Sequence, residues 1–272
     1  MPVISVIIPT HNRPALLAEA IASVRGQTFS DYEIIVISNG ESLDTRAQSK
    51  AVATLYDARW YALSAGNAGA ARNFGVEQTK SEWIAFLDDD DIWLPQKLEH
   101  QIVAARRSGA DLIACDIVNF FPDGSEVEIK MRLPPDVMYV EALCRQKWWG
   151  PTPSAVLLRR SVFDGLGGFD PKLITHEDSD LWRRVSWRHT IFQMDEILLH
   201  YRSGHPSLSS NKQQYRRDQL YHYRKIWQDT PPDLRWALPN PARLPLRWLS
   251  TWWFPAWLRQ PRKYVRSLNL NF

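Results

Sequence analysis

Along the first half of the chain, apolar runs rich in β-branched residues alternate with stretches whose apolar positions fall three and four apart. Val3–Ile8 has the near-continuous apolar character of a strand covered on both faces. Pro14 then opens a helix with apolar positions at Leu16, Leu17, Ala20, Ile21 and Val24. Glu33–Ile37 predicts a second strand, Asp44–Tyr56 a helix and Arg59–Leu63 a short third strand. Asn67–Gln78 reads as a helix of small residues, Trp83–Leu87 as a fourth strand, Leu94–Arg107 as an amphipathic helix and Asp111–Asn119 as another strand. This alternation predicts an α/β fold with a single, mostly parallel sheet flanked by helices. After Phe121 the pattern loosens, leaving a strand at Ser154–Leu158, a helix at Glu177–Trp187, a strand at Ile191–Leu199 and a helix at Asn211–Gln228.

Composition narrows the class. At 272 residues, 44% hydrophobic and 23% charged, the chain can bury a full core as one large or two small domains. Two cysteines, Cys115 and Cys144, are too few for a disulfide framework and fit a reduced, cytoplasmic setting. No basic segment followed by an apolar one precedes the first strand, and no uncharged stretch reaches 18 residues, so neither a signal peptide nor a spanning helix is expected. The formal charge of +3 hides an asymmetry: Arg235 to Phe272 holds seven basic residues, no acid and five of the thirteen tryptophans. Composition shifts at Thr230-Pro231-Pro232, which divides a folded body, 1–230, from a Trp/Arg/Pro-rich tail, 231–272. Within the body, 1–119 carries the alternating pattern and 120–230 the looser one.

Trp83–Leu87 ends in four consecutive carboxylates, Asp88 to Asp91, ahead of Leu94-Pro95. Adjacent acids repel one another, and such a tract suits a hard divalent cation shared with substrate phosphates. Its place after a strand is where open α/β sheets bind nucleotides. A calcium EF-hand is excluded, because the sixth loop position, which needs glycine, is Trp93. The first strand runs into Pro9-Thr10-His11-Asn12-Arg13; these polar residues either line a nucleotide site or simply cap the next helix. Gly66-Asn67-Ala68-Gly69 with Arg72 and Asn73 is either a diphosphate-facing helix start or a tightly packed one. Thr175-His176-Glu177-Asp178 reads as a capping-box-like start with Thr175 as cap, and a carboxylate aimed there can also act as a general base. Arg202 and His205 lie in a donor-rich loop that either reaches a diphosphate or is plain surface.

These pieces, in this order, resemble the family 2 glycosyltransferases, whose fold is the Rossmann-like GT-A fold. The resemblance covers Val3 to about Ser210 and rests on Val-Ile-Ile-Pro-Thr-His-Asn-Arg, the Gly66–Gly75 segment, Trp83–Pro95, and Gly167-Gly168-Phe169-Asp170 followed by His176-Glu177-Asp178. It implies that Asp90, with Asp88, binds Mg²⁺ or Mn²⁺, and that Asp88 and Asp89 lie near ribose or metal. It places Pro9, Thr10, Asn12, Asn67, Arg72 and His205 around the nucleotide, and makes Asp178, with Glu177 beside it, the catalytic base. Where the family has Asp-Asp-Gly-Ser, this chain has Ser38-Asn39-Gly40-Glu41, so Asn39 would meet the base, with uridine favoured and thymidine or another nucleotide open. The processive Gln-x-x-Arg-Trp signature does not follow Asp178, which implies addition of a single sugar.

The resemblance therefore implies an inverting, metal-dependent transfer from a nucleoside diphosphate sugar to a hydroxyl of a glycan or lipid-linked acceptor, in cell-surface polysaccharide synthesis. Two rivals are a sugar nucleotidyltransferase, which would carry a basic Gly-rich loop after its first strand, and an inactive nucleotide-sugar-binding protein. The interleaved Trp and Arg of the tail suit an interfacial segment on the cytoplasmic face of the inner membrane, or packing on the body. Nucleic acid is not an expected partner, since no reading motif accompanies the basic residues.

Overall fold

The computed structural model describes residues 2–40, 42–64, 66–131, 138–144, 150–204 and 211–238. Two units divide the chain, Met1–Ala237 and Leu238–Phe272, and every described helix and strand belongs to the first. His205, the Lys147-Trp148-Trp149 segment and the tail from residue 239 onward lie outside the described residues.

One sheet organises the first unit. Strands β1 (Ile4–Thr10), β2 (Tyr32–Ser38), β3 (Arg59–Ala62) and β4 (Trp83–Phe86) are mutually parallel in the order β3-β2-β1-β4. Next to β4 lies β8 (Val156–Arg159), antiparallel to it and to β6 (Leu112–Phe120) on its other side. Beyond β6 come β9 (Ile191–Arg202), parallel to β6, and the two-residue β5 (Ile92–Trp93), while β7 (Glu126–Ile129) is a hairpin partner of β6. The sheet is thus mostly parallel, with β8 as an antiparallel insert at its centre.

All seven residues of β1 are buried because both faces are covered. Successive side chains point to opposite faces. Ile4, Val6 and Ile8 join one apolar cluster with Leu17, Ile21 and Val24 of α1 (Pro14–Arg25) and Leu98 and Ile102 of α4 (Lys97–Ser108). Ile7 faces the other way, into a cluster with Phe86, Ala71 and Val76 of α3 (Ala68–Glu77), and Leu181 and Trp182 of α7 (Glu177–Val185). Gly75 lets α3 lie against the sheet, since a Cβ there would collide with Ile7 Cγ2 and come within 3.2 Å of Ile37 Cγ1. The remaining helices are α2 (Leu43–Leu55), α5 (Tyr139–Cys144), α6 (Arg160–Gly165) and α8 (Lys212–Asp229).

Differences from the sequence-based expectation are local. Helix α4 begins at Lys97 and not Leu94, because Ile92 and Trp93 pair with His200 and Leu199 and Leu94 N–H donates to Leu198 O at 3.0 Å. Ser154 and Ala155 of the predicted Ser154–Leu158 strand belong instead to a 3-10 turn, Pro153–Ala155, ahead of β8. The short β5, β7, α5 and α6 carry too few residues to show a period.

Candidate active site

The C-terminal ends of β1, β2 and β4 meet the N-termini of α3 and α7, and the predicted site residues gather there. Each of the four acids after β4 has its own partner. Asp88 Oδ1 accepts from Arg72 Nη2 at 2.5 Å, and its N–H donates to Ser154 Oγ at 3.0 Å. Asp89 is buried, with Thr10 Oγ1 donating to Oδ2 at 2.8 Å and Arg13 Nη1 at 3.5 Å from Oδ1. Asp90 Oδ2 accepts from Arg13 Nη1 at 2.5 Å. Asp91, also buried, accepts the Arg202 N–H at 3.1 Å, and Arg202 Nε donates to Asp90 O at 2.9 Å. The tract is therefore a built structure as well as a charged one: Asp89 and Asp91 face inward, while Asp88 and Asp90 keep side-chain exposures of 27% and 16%.

Arg72 is the hub. It is 3% exposed, lies over the Phe169 ring and donates through Nη1 to Glu177 Oε1 at 3.0 Å while Nη2 holds Asp88. One buried guanidinium thus ties the acid tract to the start of α7. Burial works against its charge, yet Asp88 and Glu177 together hold its pKa above the ordinary arginine value. Glu177 is raised to about 7 by burial and by Asp178, with Arg72 opposing. Asp178 is also raised, chiefly by burial, although the Ser179 N–H donates to its Oδ1 at 2.6 Å; the charges of Arg72 and Asp88 both reach it. Asp89 is raised to about 6 by burial, against the pull of Arg13 and Thr10.

Helix α7 begins differently from the predicted capping box. His176 is its N-cap, in the left-handed region at φ 67°, with no side-chain cap bond. Thr175 Oγ1 donates instead to Asp218 Oδ2 at 3.1 Å. Neither Thr10 nor Asn12 caps α1, whose N-cap is Arg13 without a side-chain bond; Thr10 is committed to Asp89, and Asn12, at φ 58°, accepts from Thr45 Oγ1 at 2.7 Å.

Pro9 is a buried β1 residue paired with Ile37. Asn67 caps α3 through Ala70 N–H at 2.8 Å and donates to Leu173 O at 2.7 Å, so it joins α3 to the segment before α7. Asn39 stands just past β2; its Nδ2 donates to Gly66 O at 3.2 Å and its Oδ1 is buried without a partner. Thr10, Arg72, Asp88, Asp89, Asp90, Glu177 and Asp178 thus form one constellation. Asn12 and Asn67 are engaged in loop bonds at its edge.

Among the described residues, no three His, Cys, Asp or Glu side chains come together as a metal-holding group. The donor set still fits a hard cation of the kind bound by one or two carboxylates plus phosphate oxygens, because Asp88 and Asp90 are the two acids of the tract turned toward solvent. Two working residues carry roles that the sequence reading did not give them: Arg13, read only within the polar run after β1, and Asp218. Arg13 had a signal, since four acids in a row need a counter-ion and Arg13 follows the first strand directly. Asp218 had none: it is one acid in the middle of a polar helix, forty residues from the turn it holds.

A family model described as Glycosyl transferase family 2 matches residues 5–167, and the chain belongs to that family. An uncharacterized glycosyltransferase of Rickettsia felis is 27% identical over 219 residues, which are 78% of this chain and only 36% of that protein; the chain thus spans about a third of that relative's length. The UDP-Glc:alpha-D-GlcNAc-diphosphoundecaprenol beta-1,3-glucosyltransferase WfgD of Escherichia coli is 29% identical over 216 residues, 77% of this chain and 80% of WfgD. Among solved structures, S. aureus TarS 1-349 in complex with UDP-GlcNAc superposes with a TM-score of 0.62 at 18% identity, over 76% of this chain and 60% of that one. The mannosyltransferase PcManGT from Pyrobaculum calidifontis, in complex with GDP-Man and Mn2+, gives 0.63 at 16% identity, over 95% and 82%. The shared architecture is the GT-A fold. The family match ends before α7, so Asp178 and all of α8 lie beyond it.

Proposed function

We propose that this chain is an inverting, metal-dependent glycosyltransferase that moves one sugar from a nucleoside diphosphate sugar to a hydroxyl of a glycan or lipid-linked acceptor. The observation that carries the reading is Arg72, which binds Asp88 and Glu177 at once and so fixes a donor-side acid and the base-bearing helix start within one guanidinium's span. The donor complexes of TarS and PcManGT and the acceptor in WfgD's name support the substrate classes.

Asp178 takes the acceptor proton as the hydroxyl oxygen attacks the anomeric carbon from the face opposite the diphosphate. A half-buried carboxylate with a raised pKa is the stronger base for this step. Asp88 and Asp90 would hold Mg²⁺ or Mn²⁺, which when bound offsets the charge left on the diphosphate. Arg13 stays beside Asp90 as a fixed cation, and Arg72 keeps Glu177 ordered next to the base. The unpartnered Asn39 Oδ1 is placed to accept an N–H from a uracil-type base. The tail, 231–272, with its Trp and Arg, is the part that would meet an anionic membrane carrying the acceptor.

Incubation with UDP-glucose, UDP-N-acetylglucosamine or GDP-mannose and Mn²⁺ should release nucleoside diphosphate, and a chelator should stop it. Asp178→Asn should lower that release by roughly 10²–10⁴-fold while donor binding by calorimetry is kept. Near-normal release by the Asn variant removes Asp178 from the base role. Donor binding by Asp90→Ala that still depends on Mn²⁺ removes Asp90 from the metal site.

A further inference from the structure

Helix α8 presents one polar stripe, Gln214, Asp218, Tyr221 and Lys225, with Tyr215 and His222 beside it, at the spacing that places residues on a single helix face. All of it is spent on the chain that leads into α7. Asp218, 4% exposed, takes the Ile174 N–H at 3.1 Å, the Thr175 N–H at 2.8 Å and Thr175 Oγ1 at 3.1 Å on one oxygen, and Gln214 Nε2 at 2.8 Å on the other. Lys225 Nζ bridges Asp170 at 2.6 Å and Asp180 at 3.0 Å, so it grips the chain on both sides of the turn. Between those grips is His176, held at φ 67° with its ring 4.5 Å from Tyr215 and stacked 5.8 Å from His222. Burial holds both imidazoles neutral, His176 at about 4 and His222 at about 3, so the pair packs without adding charge.

A non-glycine residue stays left-handed only when its surroundings over-determine it, and such residues cluster where geometry serves function. Here the left-handed residue immediately precedes Glu177 and Asp178. Two consecutive backbone N–H groups fixed by one carboxylate set the direction in which the chain enters His176.

We infer that Asp218 is a positioning residue: through the amides of Ile174 and Thr175 it holds the left-handed turn that aims Asp178 at the donor. Asp218 lies beyond the family match, in the C-terminal part of the chain. The inference rests on the proposed role of Asp178, and two readouts separate them.

Amide hydrogen exchange reads the clamp alone. In the full-length Asp218→Ala protein, exchange at residues 174–176 should rise at least about tenfold, with β1 and β4 unchanged. Nucleoside diphosphate release from UDP-glucose, UDP-N-acetylglucosamine or GDP-mannose with Mn²⁺ reads the consequence. Loss of aim should lower kcat about 100-fold for Asp218→Ala and about tenfold for the better-folding Asp218→Asn, which keeps an acceptor oxygen, with donor KM within twofold for both. A purely structural role would instead reduce the folded fraction and leave kcat per folded molecule intact. Unchanged exchange at 174–176 overturns the clamp, and so does faster exchange with kcat within twofold of an active parent. If the parent releases no diphosphate from any of the three donors, exchange alone decides whether Asp218 holds the turn.

Discussion

Arg72 shows how a residue picked out as a ligand neighbour can turn out to be a joint. The resemblance to family 2 enzymes implies a place beside the nucleotide; in the structure its two terminal nitrogens are taken by Glu177 and Asp88. Replacing it with Met would leave two carboxylates facing each other without a cation. Losing one partner of a buried pair costs about 3–5 kcal/mol, so Arg72→Met should lower urea stability by about 3 kcal/mol and should not be rescued by lysine, which cannot fork. Asp178 makes the residue-scale pH prediction. Burial raises its pKa, and in the proposed mechanism the base works only when ionised, so kcat should fall with dropping pH along a limb that lies above the ordinary carboxylate value of about 3.9. A limb at the ordinary value in the kcat–pH profile would contradict this. At this scale the site was legible because its residue types are demanding: four adjacent acids, an Arg-Asn pair after small residues, and acids at a helix start. What stayed hidden was pairing. Repulsion within Asp88–Asp91 suggested a missing cation, whereas Arg13 and Arg72 already supply two.

Among the elements, the strands with the strongest apolar runs and the helices with a full turn or more of period matched their predicted spans to within a few residues. They did so because burial on both faces leaves no alternative to apolar residues. Short pieces such as β5 and β7 exist only because β9 and β6 offer edges to pair with, which no local pattern records. Helix α3 yields a direct test of packing. Gly75→Ala should destabilise by about 1–3 kcal/mol, because the added Cβ meets Ile7 and Ile37 side chains already locked in the sheet. Gly165→Ala, in α6, meets nothing within 4 Å and should be neutral or slightly stabilising. Paired urea melts of the two variants check the contrast, and equal destabilisation would mean that α3 does not lie so close.

On the scale of the whole molecule, the tail beyond residue 238 is the largest feature that composition marks and the described structure does not reach. No helix among the described residues is long and apolar enough to cross a membrane. The proposed membrane attachment by the tail rests on its seven basic residues and five tryptophans. Deleting residues 235–272 should abolish co-sedimentation with vesicles containing about one-third phosphatidylglycerol, and raising salt should weaken binding of the full chain, because screening shortens the reach of its seven basic residues. Co-sedimentation that survives the deletion would assign attachment to the folded unit.

The antiparallel strand at the centre of the sheet also bears on how the chain can be made. Strands β1 to β4 can pair with one another as they emerge from the ribosome, and β6 follows, but β8 is the strand that joins β4 to β6. From Phe86 until Leu157 is translated, two apolar strand edges, Trp-Ile-Ala-Phe and Leu-Ile-Ala-Cys, have no partner. Such edges template pairing with other chains. A nascent chain halted in that interval is prone to aggregate; Val156 to Arg159 close these two edges, and the far edge of β6 waits for β9.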